Sequence, residues 1–294
     1  MTLQVAVVQS GGQGSDPAAG LEQLCALVEQ AATPGTDLVV LPELCSSPYF
    51  CTTRDAARHS RAEPLSGPTT TAFAALAARL GVAVMFGVYE RAADGSLYNS
   101  AVLLDRTGAL VRPTALDGTE APAYRKMSIP SVCTPDLDTD EKFYFKPGPE
   151  PVAFTLDGVR LGCVICYDRS FPEYWLAARA LGAQVVVALV SSFGWRDGLF
   201  VDELVVRAFE TQVFVVAANR GGPETFEGAT TSFFGRSCVI DPTGVLLAEA
   251  PAHESPVTLH ATLDLAAVDA ARSRLPLARD RRADVLALLA RAAR

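Results

Sequence analysis

Short apolar runs alternate along this chain with stretches of helical period, and polar turns separate them, a pattern that predicts an α/β protein. Leu3–Val8 is apolar but for Gln4, as suits a strand covered on both faces. Asp16-Pro17 opens a helix running to about Ala32, with Asp16 as N-cap and Pro34-Gly35 as the break. Leu38–Leu41 forms the next strand and ends in Pro42-Glu43. An alanine-rich helix, Thr69–Leu80, closes at Gly81, and Val82–Glu90 and Leu97–Asp105 read as strands paired through Asp94-Gly95. The segment 113–148 departs from this regularity. It is rich in Pro, Asp and Thr, and a connection of such length is commonly functional or disordered.

After Pro151 the theme returns, with strands at Val152–Leu156 and Val159–Ile165. A helix from Pro172 to Leu181 begins on proline and stops at Gly182. Val185–Val190, a helix over Asp197–Gln212 and Val213–Ala218 follow, and then strands around Ser232–Ile240 and Val245–Ala250. The turn between this last pair, Asp241-Pro242-Thr243-Gly244, matches Asp105-Arg106-Thr107-Gly108 of the earlier part. Val257–Leu263 adds a strand, and a helical tail starts at Asp264. The repetition predicts one unit of two similar halves, a four-layer α-β-β-α sandwich with its sheets face to face. We expect a catalytic domain over 1–270 and a helical tail over 271–294, amphipathic from Asp280 and suited to packing on a partner subunit.

Composition narrows the function. The chain has 294 residues, 49% of them hydrophobic and 20% charged, which is ordinary for a globular protein with a large core. A formal charge of −8 leaves no basic surplus for phosphates, so nucleic acid is not an expected partner. No apolar run approaches the ~20 residues of a membrane span, and without a charged n-region or cleavage site at the start a secretory signal is not expected. Seven cysteines without regular spacing favour reduced thiols and a cytoplasmic location. Three histidines in no zinc-ligand spacing give no metal site, and Gly11–Gly14 lacks the pattern of a phosphate loop, so no cofactor is expected.

Chemistry concentrates at strand ends, where α/β sheets gather their ligands. Cys166 terminates the apolar run Val159–Ile165, with Asp168 and Arg169 directly behind it. Two readings stand: a small buried hydrophobe, the commonest fate of a free cysteine, or a sulfur lifted from the sheet by the turn. Cys163, inside the strand, is the hydrophobe of the pair. Glu43 likewise emerges from a buried strand, and Lys126 lies in the long segment between the halves. Each alone reads as a solvated charge. Together with Cys166 they supply a base, a cation and a nucleophile, the set that acyl transfer through a thioester requires.

These residues carry a resemblance to the nitrilase superfamily of carbon–nitrogen hydrolases. Val39-Val40-Leu41-Pro42-Glu43 resembles its glutamate motif, Tyr124-Arg125-Lys126-Met127-Ser128-Ile129-Pro130 its lysine motif, and Val164-Ile165-Cys166-Tyr167-Asp168-Arg169 its cysteine motif. The segment Arg207–Arg220 is similar to a later helix and strand of the family, and Pro48-Tyr49-Phe50-Cys51 resembles the carbamoylputrescine amidase and β-ureidopropionase branches. The resemblance implies the sandwich fold again. It implies Glu43 as general base, Cys166 as nucleophile, and Lys126 with the Tyr167 backbone N–H as oxyanion donors. Glu141, in Glu141-Lys142-Phe143-Tyr144-Phe145, matches the family's second glutamate, although an insert at 132–139 lengthens the spacing.

Arg169, Tyr49 and Ser191 are the expected substrate contacts. Arg169 can hold a substrate carboxylate through its planar fork, or serve as scaffold by pairing with a neighbouring acid. Ser128 stands where many carbamoylase relatives carry His, and Ser170 where D-amino-acid carbamoylases carry a second Arg. The expected activity is metal-free hydrolysis of an N-carbamoyl compound or linear amide, with a small molecule and water as partners and a homo-oligomer as the assembly. A nitrilase or ω-amidase acting on another small acid is the alternative enzyme. A silent scaffold of the same fold is the alternative of a different class.

Overall fold

The computed structural model describes residues 1–134 and 137–292. Positions 135–136 of the expected insert and 293–294 of the expected tail lie outside the described residues. The first half begins with β1 (Thr2–Gln9), α1 (Pro17–Ala31) and β2 (Leu38–Val40), and continues through α2 (Pro68–Leu80) and β3 (Ala83–Arg91). It ends in β4 (Leu97–Leu104), β5 (Leu110–Val111) and β6 (Tyr124–Arg125). A hairpin of β7 (Ser131–Thr134) and β8 (Leu137–Asp140) leads to the second half. There β9 (Ala153–Leu156), β10 (Val159–Ile165), α3 (Pro172–Ala180), β11 (Val185–Leu189), α4 (Asp197–Thr211) and β12 (Phe214–Ala218) follow in turn. The hairpin β13 (Gly221–Phe226) and β14 (Ala229–Phe234) precedes β15 (Cys238–Ile240), β16 (Leu246–Glu249) and β17 (Val257–Asp264). Two helices, α5 (Ala266–Arg274) and α6 (Ala283–Ala292), complete the described chain.

One sheet runs β17-β1-β2-β3-β4-β5, with β6 also on β4, and the other runs β16-β15-β12-β11-β10-β9. The central pairs β1–β2, β2–β3, β10–β11 and β11–β12 are parallel, with antiparallel strands outside them. Period-two alternation sorts the side chains. Val5, Val7, Val40 and Met85 face inward and meet Leu161, Cys163, Ile165 and Val187 of the other sheet. Ala6, Val8, Val39 and Val84 face outward under Leu24, Val28 and Phe73 of α1 and α2. Val164, Val186 and Val215 pack under Trp175, Phe200 and Leu204 of α3 and α4. The expected four-layer α-β-β-α sandwich is therefore the observed one.

The matching turns are alike in detail. Asp105 Oδ1 accepts from the backbone N–H groups of Thr107 and Ala109 at 2.8 and 3.0 Å, and Asp241 Oδ1 from those of Thr243 and Val245 at 2.8 and 2.9 Å. Gly108 and Gly244 close the turns at φ 80° and 86°, a region that costs a glycine nothing.

Two expectations are revised. The strand expected over 232–240 is broken after Phe234, where Gly235 and Arg236 take φ 71° and 60°; the part before the break is β14, and its partner β13 had no forecast. Glu227 (φ 50°) and Gly228 (φ 83°) make the two-residue turn between them, and the Gly228 position was the available signal. The segment 113–148 also carries more structure than its composition suggests, since β6 joins the first sheet and β7–β8 form a hairpin.

The expected tail boundary falls inside α5, whose Ala271 O and Leu275 O accept from Gln212 Nε2 at 2.8 and 2.6 Å. Beyond it, α6 leaves Val285, Leu286 and Leu288 exposed. Among the described residues no helix is long and apolar enough to cross a membrane.

Candidate active site

The parallel strands β2 and β10 end on the same side of the sandwich, and each delivers a reactive side chain there. Glu43 follows β2 and is fully buried. Leu44 after it is left-handed at φ 48°, which turns the chain and frees the carboxylate from the strand direction. Gly87 of β3 lies opposite, and a Cβ there would stand 2.6 Å from Glu43 Cα, so only glycine permits the approach. The Glu43 backbone is gripped from the second half. Its carbonyl accepts from Ser191 Oγ at 2.9 Å and from Arg220 Nη2 at 3.2 Å. The same Arg220 nitrogen reaches Leu44 O and Ser47 O at 2.6 and 2.8 Å, while Nη1 pairs with Glu224 at 2.8 Å.

Cys166 opens a 3₁₀ turn, Cys166–Ser170, and is itself left-handed at φ 46°. That is an uncommon conformation for a residue with a side chain, with a cost of about 1–3 kcal/mol. It lifts the sulfur out of the sheet, as the second of the two sequence readings required. Cys163 stays in the core between the sheets. The Cys166 thiol lies 3.5 Å from Ser192 Oγ, and its carbonyl accepts from Arg169 Nη1 at 2.8 Å.

Lys126 follows β6, which is fixed to β4 through Ser100 and Ala101. Its Nζ donates to Glu43 Oε1 at 2.8 Å and to Glu141 Oε2 at 2.6 Å, and all three side chains are buried. Asn99 Nδ2 also donates to Glu43 Oε1, at 2.7 Å. Glu43 Oε2 is buried and has no hydrogen-bond partner among the described residues. Glu141 Oε1 accepts from Tyr49 OH at 2.8 Å, and that hydroxyl also meets Thr139 Oγ1 at 2.8 Å. The structure thus brings Glu141 onto Lys126 in spite of the longer spacing.

Asp168 joins the lysine segment to the cysteine turn. Its carboxylate accepts from Ser128 N at 2.7 Å, Met127 N at 3.2 Å, Ile165 N at 3.2 Å and Tyr124 OH at 2.9 Å. Burial pushes its pKa up to about 6, with the Ser128 hydrogen bond and Lys126 pulling the other way.

The electrostatics follow from this packing. Burial alone would strip Lys126 of its charge, but Glu141 and Glu43 outweigh it and hold the ammonium well above the usual lysine range. Burial pushes Glu141 up to about 7 against the pull of Lys126. Cys166 is also pushed up, first by burial and then by Glu43, with Lys126 and Arg169 opposing. The shift favours the neutral thiol, and a thiol held so gains nucleophilic character only when an adjacent base takes its proton.

Cys166, Glu141, Tyr49 and Ser191 line one chamber of about 60 Å³, together with Tyr167, Arg169 and Arg196. No histidine lines it. Ser191 spends its hydroxyl on Glu43 O, and Arg169, 1% exposed, places Nε on Glu203 at 3.1 Å. Arg169 thus performs the scaffolding of its second reading, while its Nη2 is buried without a partner among the described residues. Sequence reasoning missed Asn99, Arg220, Glu224 and Arg196, which meet Glu43, Leu44, Tyr49 and Ser170 only through the fold. Among the described residues, no group of three or more His, Cys, Asp or Glu could hold a metal ion.

The fold agrees with comparisons to known proteins. The family model for carbon-nitrogen hydrolases matches residues 4–273, and the chain belongs to that family. It is an amidohydrolase by class. Among its relatives, an N-carbamoylputrescine amidase of Solanum tuberosum is 32% identical over 276 residues, covering 90% of this chain and 87% of that protein. A nitrilase of Pyrococcus abyssi is 30% identical over 267 residues, covering 90% of each. The crystal structure of a carbon-nitrogen hydrolase from Helicobacter pylori G27 superposes with a TM-score of 0.83 at 29% identity, over 96% of each chain.

Proposed function

We propose that this enzyme hydrolyses an N-carbamoyl group, or a comparable linear amide, on a small molecule through a thioester on Cys166. The observation that carries the reading is the Lys126 ammonium bridging Glu43 Oε1 and Glu141 Oε2 beside the Cys166 chamber, with Glu43 Oε2 unpartnered. In this mechanism Glu43 accepts the thiol proton as sulfur attacks the carbonyl carbon. Lys126 Nζ and the Tyr167 N–H, which has no partner within the turn that begins at Cys166, stabilise the oxyanion. Glu43 returns the proton to the departing nitrogen. Glu43 then takes a proton from water, which attacks the thioester and restores the thiol. For a carbamoyl substrate one water converts the urea into amine, ammonia and carbon dioxide. Glu141 keeps Lys126 charged and oriented, and Tyr49 holds Glu141. The carbamoyl assignment draws further support from the potato relative.

Intact-mass spectrometry during turnover tests the chemistry. A slow amide substrate is expected to leave an acyl adduct that peptide mapping assigns to Cys166, and mild iodoacetamide treatment is expected to modify the same residue first. An adduct on Cys163, or none on Cys166 while ammonia is released, overturns the mechanism.

A further inference from the structure

The chamber around Cys166 has room for a reacting amide or carbamoyl head and little more, at about 60 Å³. A groove of about 620 Å³ adjoins it, and Val132, Tyr167 and Arg196 line both spaces. A substrate that extends from the chamber into this groove passes the Arg196 guanidinium. Arg196 precedes α4, with its side chain 19% exposed. Its Nη2 donates to Ser170 Oγ at 2.5 Å and to Glu203 Oε2 and Oε1 at 3.0 and 3.2 Å. Glu203 Oε2 also takes Arg169 Nε, so one carboxylate serves two guanidinium groups. The cluster carries one net positive charge, and Arg169 Nη2 within it is buried with no hydrogen-bond partner among the described residues.

Among the described residues that line the chamber and the groove, acids are few. Glu141 in the chamber is committed to Lys126 and Tyr49, and Glu203 to the two arginines. Asp202 lines only the outer groove and is exposed, where water screens it. Arg207, the other cation of the groove, pairs with Glu210 at 2.7 Å. A substrate ammonium would meet surplus cation at the neck, and a carboxylate would meet its complement.

We infer that Arg196 is a specificity-determining residue that selects substrates bearing a carboxylate beyond the scissile bond, N-carbamoyl or amide derivatives of small acids rather than of amines. Arg169 is then a positioning residue that holds Glu203 and the Cys166 carbonyl. The inference rests on the amidohydrolase reading of the Cys166 chamber and sharpens its substrate class against the amine substrate named for the potato relative.

Three ureas sharing a propylene chain that ends in carboxylate, methyl or ammonium test it. Their binding is measured by calorimetry on Cys166→Ala, and their turnover as ammonia release by the unmodified enzyme. The expected binding order is carboxylate, methyl, ammonium, with at least about 10-fold between the first and the last. Adding Arg196→Gln should weaken the carboxylate urea about 10- to 100-fold and the methyl urea several times less, while Arg196→Lys should keep the order. Tightest binding of the ammonium urea, or an equal loss for all three ureas in Arg196→Gln, overturns the inference. If Cys166→Ala binds in the expected order while the unmodified enzyme hydrolyses none of them, the carbamoyl reading falls and the charge selection stands. If all three are hydrolysed but the order is reversed, the selection falls alone.

Discussion

The two halves of the sandwich each end a parallel strand in a left-handed, non-glycine turn, yet they secure it differently. In the first half the left-handed residue is Leu44, one place after the reactive Glu43, and its loop is held by Ser191 and Arg220 from the opposite half. In the second half it is Cys166 itself, held by Arg169 and Asp168 of its own turn. The turn that presents Cys166 is held from within its own segment. The Glu43 loop reaches its geometry only when the halves close on each other.

Ranked by effect, the sharpest break in this comparison is at the nucleophile. Cys166→Ala should lower kcat by about 10⁴-fold or more while the melting temperature stays within a few degrees, because a small side chain at a strand end leaves little cavity. Retained activity there, with loss in Cys163→Ala, would misplace the turn. Glu43→Gln and Lys126→Gln come next, each costing kcat about 10²- to 10⁴-fold with a smaller change in KM. A Lys126→Gln enzyme altered only in KM would move the lysine from oxyanion to substrate.

Arg220 tests the cross-half grip. Arg220→Met should reduce kcat about 10- to 100-fold and destabilise the fold by about 3–5 kcal/mol, since Glu224 is left buried and unpaired. Adding Glu224→Gln should recover much of the stability and little of the rate. Recovery of both would mean that Arg220 holds the fold and not the base. A pH profile offers a finer test. Burial pushes Glu141 up to about 7, so kcat/KM should fall as the pH drops through that value, when the negative charge that holds Lys126 is lost. In Glu141→Gln the overall rate should be lower and this limb absent; an unchanged limb would assign it elsewhere. The smallest effects belong to the matching turns. Asp105→Ala and Asp241→Ala should each cost about 1 kcal/mol of stability at unchanged kcat, read by chemical denaturation, and unequal costs would show where the likeness of the halves stops.

What could be read in the chain beforehand follows the same division. Glu43 and Cys166 stood out because buried strands end abruptly in chemistry-bearing residues, a signal confined to a few neighbouring positions. Lys126 has no local mark of its own in a long connection, and it stood out only by its place between the halves and in combination with Glu43 and Cys166. Arg220 and Glu224 gave none: their partners Leu44 and Tyr49 lie 176 and 175 residues away. Arg196 was silent for a similar reason, as its importance comes from Ser170 and Glu203 meeting at the neck of a chamber. The β13–β14 hairpin went unseen because Gly221-Gly222-Pro223 opens it without a strand's apolar alternation.

Asp168 has a consequence for tolerance. Two groups mounted on separate loops carry independent placement errors, and the error in their separation is the combination of both. Here the amides that follow Lys126 and the amide that precedes Cys166 hang from one carboxylate. Displacement of that carboxylate carries cation and sulfur along together, so the common part cancels from the gap between them. A site that needs placement to within about 0.5 Å obtains it by giving two loops one datum. The price of that economy is exposure to a single fault: Asp168→Asn, which turns one accepting oxygen into a donor facing backbone amides, should let both groups drift at once.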